Sequence, residues 1–203
     1  MPERNLLTPA AWWFGPPTGN AGAILLVLIG IFGGVWLLAL LSRWITGKIW
    51  KGKARMKDAL RDYESLIAGA VPRLLSISDD ESSSRPAAGK WSRKEILGHL
   101  IDSASNNHQR FVRAQLSSEI RLAGYEQESW VRTQAYESES WDHLVQFWKY
   151  YNLHLLHVAA EFPENRLGSL CFIGDNEPVT LEFLFTDYLR HLRHHLDQIF
   201  SER

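Results

Sequence analysis

The sequence predicts an all-α fold: a four-helix bundle with long crossover connections, preceded by a single transmembrane helix. Three observations carry this. Residues 21–41 (AGAILLVLIGIFGGVWLLALL) run without a charge. Four later stretches repeat apolar residues at intervals of three and four, the helical period. No segment of the second half is long enough, or alternates strictly enough, to argue a substantial sheet.

As a helix the apolar run is about 31 Å long, which matches the roughly 30 Å hydrocarbon core of a bilayer. Gly22, Gly30, Gly33 and Gly34 are costly in a soluble helix but common in spanning ones. Trp12 and Trp13 precede the run, and Trp44 and Trp50 follow it, as aromatic belts do at the headgroups. A buried core helix would be shorter and more polar, and a cleaved signal peptide would follow a basic start more closely. Residues 1–20 hold one basic side chain, Arg4. Residues 42–57 hold six: Arg43, Lys48, Lys51, Lys53, Arg55 and Lys57. Positive charge stays inside, so the expected arrangement is a single-pass protein of the cell membrane with its N-terminus outside and its C-terminal domain cytoplasmic. The organisation expected is a tail at 1–20, a membrane partner contact through residues 21–43, a basic juxtamembrane linker at 44–57 and a bundle domain at 58–203.

The first bundle helix is expected over about 54–76, with Leu60, Tyr63, Leu66, Ile67, Val71, Leu74 and Leu75 inward and a kink or early break at Pro72. SDDESSSRPAAGK reads as loop. The second helix opens at Trp91-Ser92, where Ser92 and Glu95 have capping-box spacing, and carries Ile96, Leu97, Leu100, Ala104 and Phe111. Residues 117–138 read as a long connection holding a short helix. The third helix covers about 140–162, with Leu144, Phe147, Trp148, Tyr151, Leu155 and Val158 inward. In LGSLCFIGDNEPVT, Gly174-Asp175-Asn176 is a turn between two short extended pieces. Thr180 caps the last helix, 181–200.

Composition narrows the function classes. The chain of 203 residues is 45% hydrophobic and 22% charged, as globular chains are. A formal net charge of -1 gives no case for nucleic acid as a partner. The single cysteine, Cys171, excludes an intrachain disulfide and reads as a small apolar filler.

The last helix carries His191 and His195 four residues apart, on one face, with Asp187 a turn before and Gln198 about a turn after. Two imidazoles so placed can share a metal ion, although a polar, histidine-rich face gives the same pattern. The second helix bears a polar stripe, His99, Ser103, Asn106 and Arg110, at intervals of four, three and four. His99 is thus a candidate third ligand, and three histidines with open positions describe a catalytic site. Imidazole suits Zn, Ni, Fe and Mn alike. Asp102 and Asp187 are either solvated or orient ligand imidazoles. His194 points about 100° from His195, and His108, His143, His154 and His157 read as surface or rim residues.

GKWSRKEILGHLIDSASNNHQRF, GYEQESWV and EPVTLEFLFTDYLRHLRHHLDQI, in that order, resemble the DinB/YfiT-like superfamily over about residues 62–201. The similarity is to its branch of metal-dependent hydrolases and bacillithiol S-transferases. The resemblance implies a four-helix bundle, often a homodimer, and a divalent metal held by His99, His191 and His195. Asn106, Arg110 and Phe111 also fall where the YfiT-like branch has similar residues. An N-terminal spanning helix is a departure from that family.

The expected function is a membrane-anchored, divalent-metal-dependent enzyme that transfers a low-molecular-weight thiol, as cosubstrate, to a small electrophilic substrate. Asp102, Asn106 and Arg110 are the candidate catalytic residues, with Arg110 placed to bind an anionic thiol. A hydrolase using the same three histidines, or a non-catalytic tethered binding bundle, are the alternatives. A solvent-connected pocket beside the histidines favours chemistry; a closed apolar surround favours binding or structure.

Overall fold

The computed structural model describes residues 52–201, which belong to one compact unit. The expected membrane span at 21–43 and its flanks to residue 51 lie outside these residues. Among the described residues no helix is long and apolar enough to cross a membrane.

Helix α1 covers 52–75 and buries Met56, Tyr63, Ile67, Ala70 and Leu74, a stripe at helical spacing. The expected kink or early break at Pro72 does not stop the helix. Proline lacks only its own N–H, and its carbonyl still accepts from Ser76 at 3.1 Å. Leu75, expected inward, is exposed. The segment expected to be loop contains a short helix, α2 (Asp79–Ser83), set by a reciprocal capping box between Ser78 and Glu81. Asp79 then ties three elements: its carboxylate accepts from the Trp141 N–H at 2.9 Å and from the buried Lys94 ammonium at 3.1 Å.

Helix α3 (Arg93–Leu116) starts at the expected Ser92 cap, with the Ser92–Glu95 capping box complete. The connection that follows holds strand β1 (Glu119–Leu122), helix α4 (Gln127–Gln134) and a single turn of 3-10 helix at Tyr136–Ser138. Helix α5 (Trp141–Ala160) is capped by Ser140. Strands β2 (Leu170–Ile173) and β3 (Val179–Thr180) pair antiparallel about the expected turn, where Gly174 has φ +59°. Helix α6 (Leu181–Phe200) is capped by Thr180.

The all-α expectation needs one correction. β1 pairs in parallel with β2, from Glu119 with Leu170 to Leu122 with Ile173, so the two long connections zip into a three-stranded sheet of order β1-β2-β3. The fold is mostly helical rather than wholly so. Two four-residue strands of low alternation carry little local signal, and parallel pairing joins positions far apart in sequence.

The four long helices bury one shared core. α6 contributes Leu181, Leu184, Phe185, Tyr188, Leu189, Leu192, Leu196 and Ile199, a continuous stripe on the helix. Each such side chain stabilises by about 1.5–3 kcal/mol on full burial. Tyr63, Phe111, Phe162, Phe185 and Tyr188 meet edge to face with centroids 5.6–6.0 Å apart. Asn152, fully buried on α5, accepts from the hydroxyls of Tyr63 (2.8 Å) and Tyr188 (2.6 Å) and donates to the Trp148 carbonyl. One amide thereby satisfies polar atoms of α1, α5 and α6. On α5 the expected Leu144, Trp148 and Leu155 are buried, joined by Val145, Asn152 and Ala159, whereas Phe147 is 48% exposed.

Candidate metal centre

α3 and α6 pack against each other, and that contact sets the site. His99 faces α6 from the first half of α3 and is fully buried, while His191 and His195 sit half-buried on one face of α6. One nitrogen from each lies within 4.8 Å of the others. The His99 and His191 Nε2 atoms are 3.1 Å apart, and the three rings have centroid separations of 5.0, 4.8 and 4.4 Å. No other group of three histidine, cysteine or acidic side chains among the described residues meets the same test.

The protonation states suit metal ligation. Burial and the neighbouring imidazoles hold His99 down to about 3 and His191 down to about 4. Burial also lowers His195, opposed by its bond to Gln198. All three rings are therefore neutral near pH 7, the form that donates a lone pair. The His195 Nδ1 bonds the Gln198 Oε1 at 2.8 Å. An amide oxygen only accepts, so Nδ1 carries the proton and Nε2 is left as the donor to a metal. A tetrahedral ion with bonds of about 2.0–2.1 Å holds its nitrogen ligands roughly 3.3 Å apart, close to the His99–His191 spacing. The donor set thus fits a divalent transition ion.

Two cavities open beside the histidines. One, of about 430 Å³, has His195, Trp91, Ile96, Glu128 and Gln198 in its wall, and the Trp91 ring lies 5.3 Å from that of His99. The other, of about 280 Å³, has His191, Ser103, Asn107, Arg110, Tyr125 and Asp187. Arg110 is the guanidinium of that wall and donates to Asn107 Oδ1 at 3.3 Å. Tyr125 is pushed up to about 12, chiefly by burial, so its hydroxyl stays protonated.

The expected residues separate here. His99, His191 and His195 converge, and Arg110 reaches the cavity beside His191. Asn106 does not: its amide folds back onto the Asp102 carbonyl at 2.9 Å, and Asn107 takes the wall position. Intervals of four, four and three are as helical as four, three and four, so packing against neighbouring elements decides the stripe. Asp102 is buried but turned from the histidines. Its Oδ1 accepts from Tyr136 at 2.7 Å and from Gln134. Asp187 lines the cavity and pairs with Arg190. Tyr125 and Asn107 were not singled out as site residues; Tyr125 stands on a long connection whose path periodicity does not give. Cys171 is buried in β2, and burial pushes its thiol up, consistent with a filler.

A family model described as the DinB superfamily matches residues 63–199. No curated protein matches at a significant level. Among solved structures, the chain is similar to YfiT from Bacillus subtilis, described as a probable metal-dependent hydrolase with an unusual four-helix bundle topology. The identity is 17% and the TM-score 0.64, over 72% of this chain and 85% of that one. It is also similar to a mycothiol-dependent maleylpyruvate isomerase, at 12% identity and TM-score 0.61, over 72% of this chain and 61% of that one. Likeness at these identities shows the shared fold. The family match, which spans the bundle and all three converging histidines, shows more: the chain belongs to the DinB superfamily.

Proposed function

We propose that this chain is a divalent-metal-dependent enzyme that joins a low-molecular-weight thiol to a small electrophile. The observation that carries the reading is that His191 and His195 each stand in the wall of an open cavity rather than in a closed apolar surround. His99, His191 and His195 would hold the ion. When bound, the ion supplies Lewis acidity that lowers the pKa of a thiol or a water held against it. Arg110 supplies a fixed positive charge for an anionic group of the thiol, in a wall shared with Tyr125 and Asn107. The Tyr125 hydroxyl, protonated at neutral pH, donates a hydrogen bond there. Trp91 and Ile96 give the opposite cavity an apolar wall for the electrophile.

Hydrolysis at the same site is the second reading, supported by the likeness to a protein described as a probable metal-dependent hydrolase. We further infer that residues 21–43 anchor the domain at the cytoplasmic face of the cell membrane, on the grounds of the uncharged run and the basic segment after it. An anchor suits electrophiles that partition into lipid. A homodimer belongs to the same reading.

Purified full chain should bind one equivalent of divalent metal, and His191→Ala should lose both the metal and thiol-conjugating turnover. Arg110→Gln should raise the KM for an anionic thiol about tenfold, the scale of a charged hydrogen bond. Unchanged metal content and turnover in His191→Ala would remove the proposal. Turnover that is independent of thiol would move it to the hydrolase. Protease protection of the tail in inverted vesicles tests the anchor.

A further inference from the structure

A third cavity, of about 570 Å³, opens between α3, α4 and α5. Its wall is aromatic: Trp130 from α4, and Phe147, Tyr150 and Tyr151 from α5, with His154 beside them and Asp102 of α3 behind. Tyr151 packs partly against the bundle core, but the core does not explain the other three rings. Phe147 is 48% and Tyr150 62% exposed, and Trp130 is 39% exposed. Exposed aromatics gathered on one surface mark a binding site more often than scattered ones do. Phe147 and Tyr151 hold their rings parallel, 5° apart in plane, with centroids at 5.9 Å.

The charge in this wall has one sign. No lysine or arginine is among the residues that line it. Asp102 is 3% exposed, and its Oδ2 is buried without a hydrogen-bond partner, although Oδ1 is satisfied twice. An unmet carboxylate oxygen is costly in a protein interior unless a cation comes near it. The aromatic faces add negative potential of their own. The Tyr150 ring already draws the Lys149 ammonium to 4.9 Å of its centroid, from outside the lining. The cavity beside His191 differs, because its wall holds the Arg110 guanidinium as well as the Asp187 carboxylate.

We infer that the cavity between α3, α4 and α5 is a binding site for a small organic cation, a quaternary or protonated amine caged by Trp130, Phe147, Tyr150 and Tyr151 over the Asp102 carboxylate. The ammonium sits among the ring faces, and Asp102 supplies the counter-charge from beneath.

Choline and its neutral isostere 3,3-dimethyl-1-butanol separate charge from shape. Titrated into the full chain by calorimetry, with intrinsic tryptophan fluorescence in parallel, choline should bind saturably and the neutral alcohol about tenfold more weakly, the scale of a desolvated cation–π contact. Tyr150→Ala should weaken choline at least severalfold while thermal melting stays put, because Tyr150 is largely exposed. Asp102→Asn should abolish the preference for choline over the alcohol; should that variant fail to fold, Tyr150→Ala and Phe147→Ala still decide. Equal binding of the two compounds, no saturable binding of choline, or an unchanged choline affinity in Tyr150→Ala would overturn the assignment. So would concentration-dependent self-association lost in Tyr150→Ala, which would make the face a contact between copies.

Discussion

Gln198 decides which nitrogen of His195 is available. Its Oε1 accepts from Nδ1, and its Nε2 reaches His194 at 3.1 Å. Gln198→Ala keeps every histidine but frees the tautomer and the ring. Metal affinity should fall about 10–100-fold, the usual cost of losing such a partner, measured by competition against a chelating dye. Gly98, next to His99, is a packing requirement of a different kind. A Cβ there would stand 2.1 Å from the Tyr136 ring, and the Tyr136 hydroxyl is bonded to Asp102. Gly98→Ala must push the ring away, and unfolding in denaturant should show a loss of about 1–3 kcal/mol. His191 and His195 are legible in sequence because α-helical spacing puts them on one face, and His99 because the family resemblance implies it as their partner; the Gly98–Tyr136 contact is not, because it joins a helix to a turn in a long connection.

Among elements, α5 carries an inward residue that the apolar period does not show. Leu144, Trp148 and Leu155 face the core as expected, and on the same face α5 turns the Asn152 amide inward to meet Tyr63 of α1 and Tyr188 of α6. Asn152→Ala should cost about 2–4 kcal/mol, since two buried hydroxyls lose their acceptor and a cavity opens. Denaturant unfolding of the variant against the parent measures it; a loss below 1 kcal/mol, itself within about the range of one ordinary bond, would mean that the two hydroxyls simply satisfy each other. The caps were the most legible feature of the elements. Ser92 and Thr180 each sit where local chemistry alone requires them. The capping box of α2 has the same form, but its five residues lack the apolar period that identifies a helix.

For the molecule as a whole, the histidine cluster makes metal-free stability depend on pH. His99 and His191 are held at about 3 and about 4 against an ordinary 6.5, and His195 is lowered as well. Below pH 6.5 the unfolded chain therefore takes up more protons than the folded one. The contribution of these rings is complete above that value and is lost as pH falls toward 4 and then 3. Thermal melting of the metal-free chain from pH 7.5 to 4 should show a falling Tm, by this contribution, and His99→Gln should flatten the slope. Metal binding should survive mild acid, because protons compete only where they titrate the rings. The bundle was legible as a whole because its helices are long and periodic. The sheet was not, since its strands recognise each other across the chain.

That pairing also sets an order of events. β1 and β2 meet in a register that spans 170 − 119 = 51 positions, with all of α4 and α5 between them. Closing so long a loop costs entropy before any strand contact repays it. The histidines need α3 and α6 to pack, whereas the wall around Arg110 also needs Gly124 and Tyr125 after β1, Ile173 at the end of β2 and Asn176 beyond it. In pulse-labelled refolding, amide protection at Gly174, whose N–H bonds the Leu122 carbonyl at 2.8 Å, should therefore lag behind that of α3 and α6. The helices would protect their own amides first, and the wall that carries Arg110 would close only once β1 and β2 had paired.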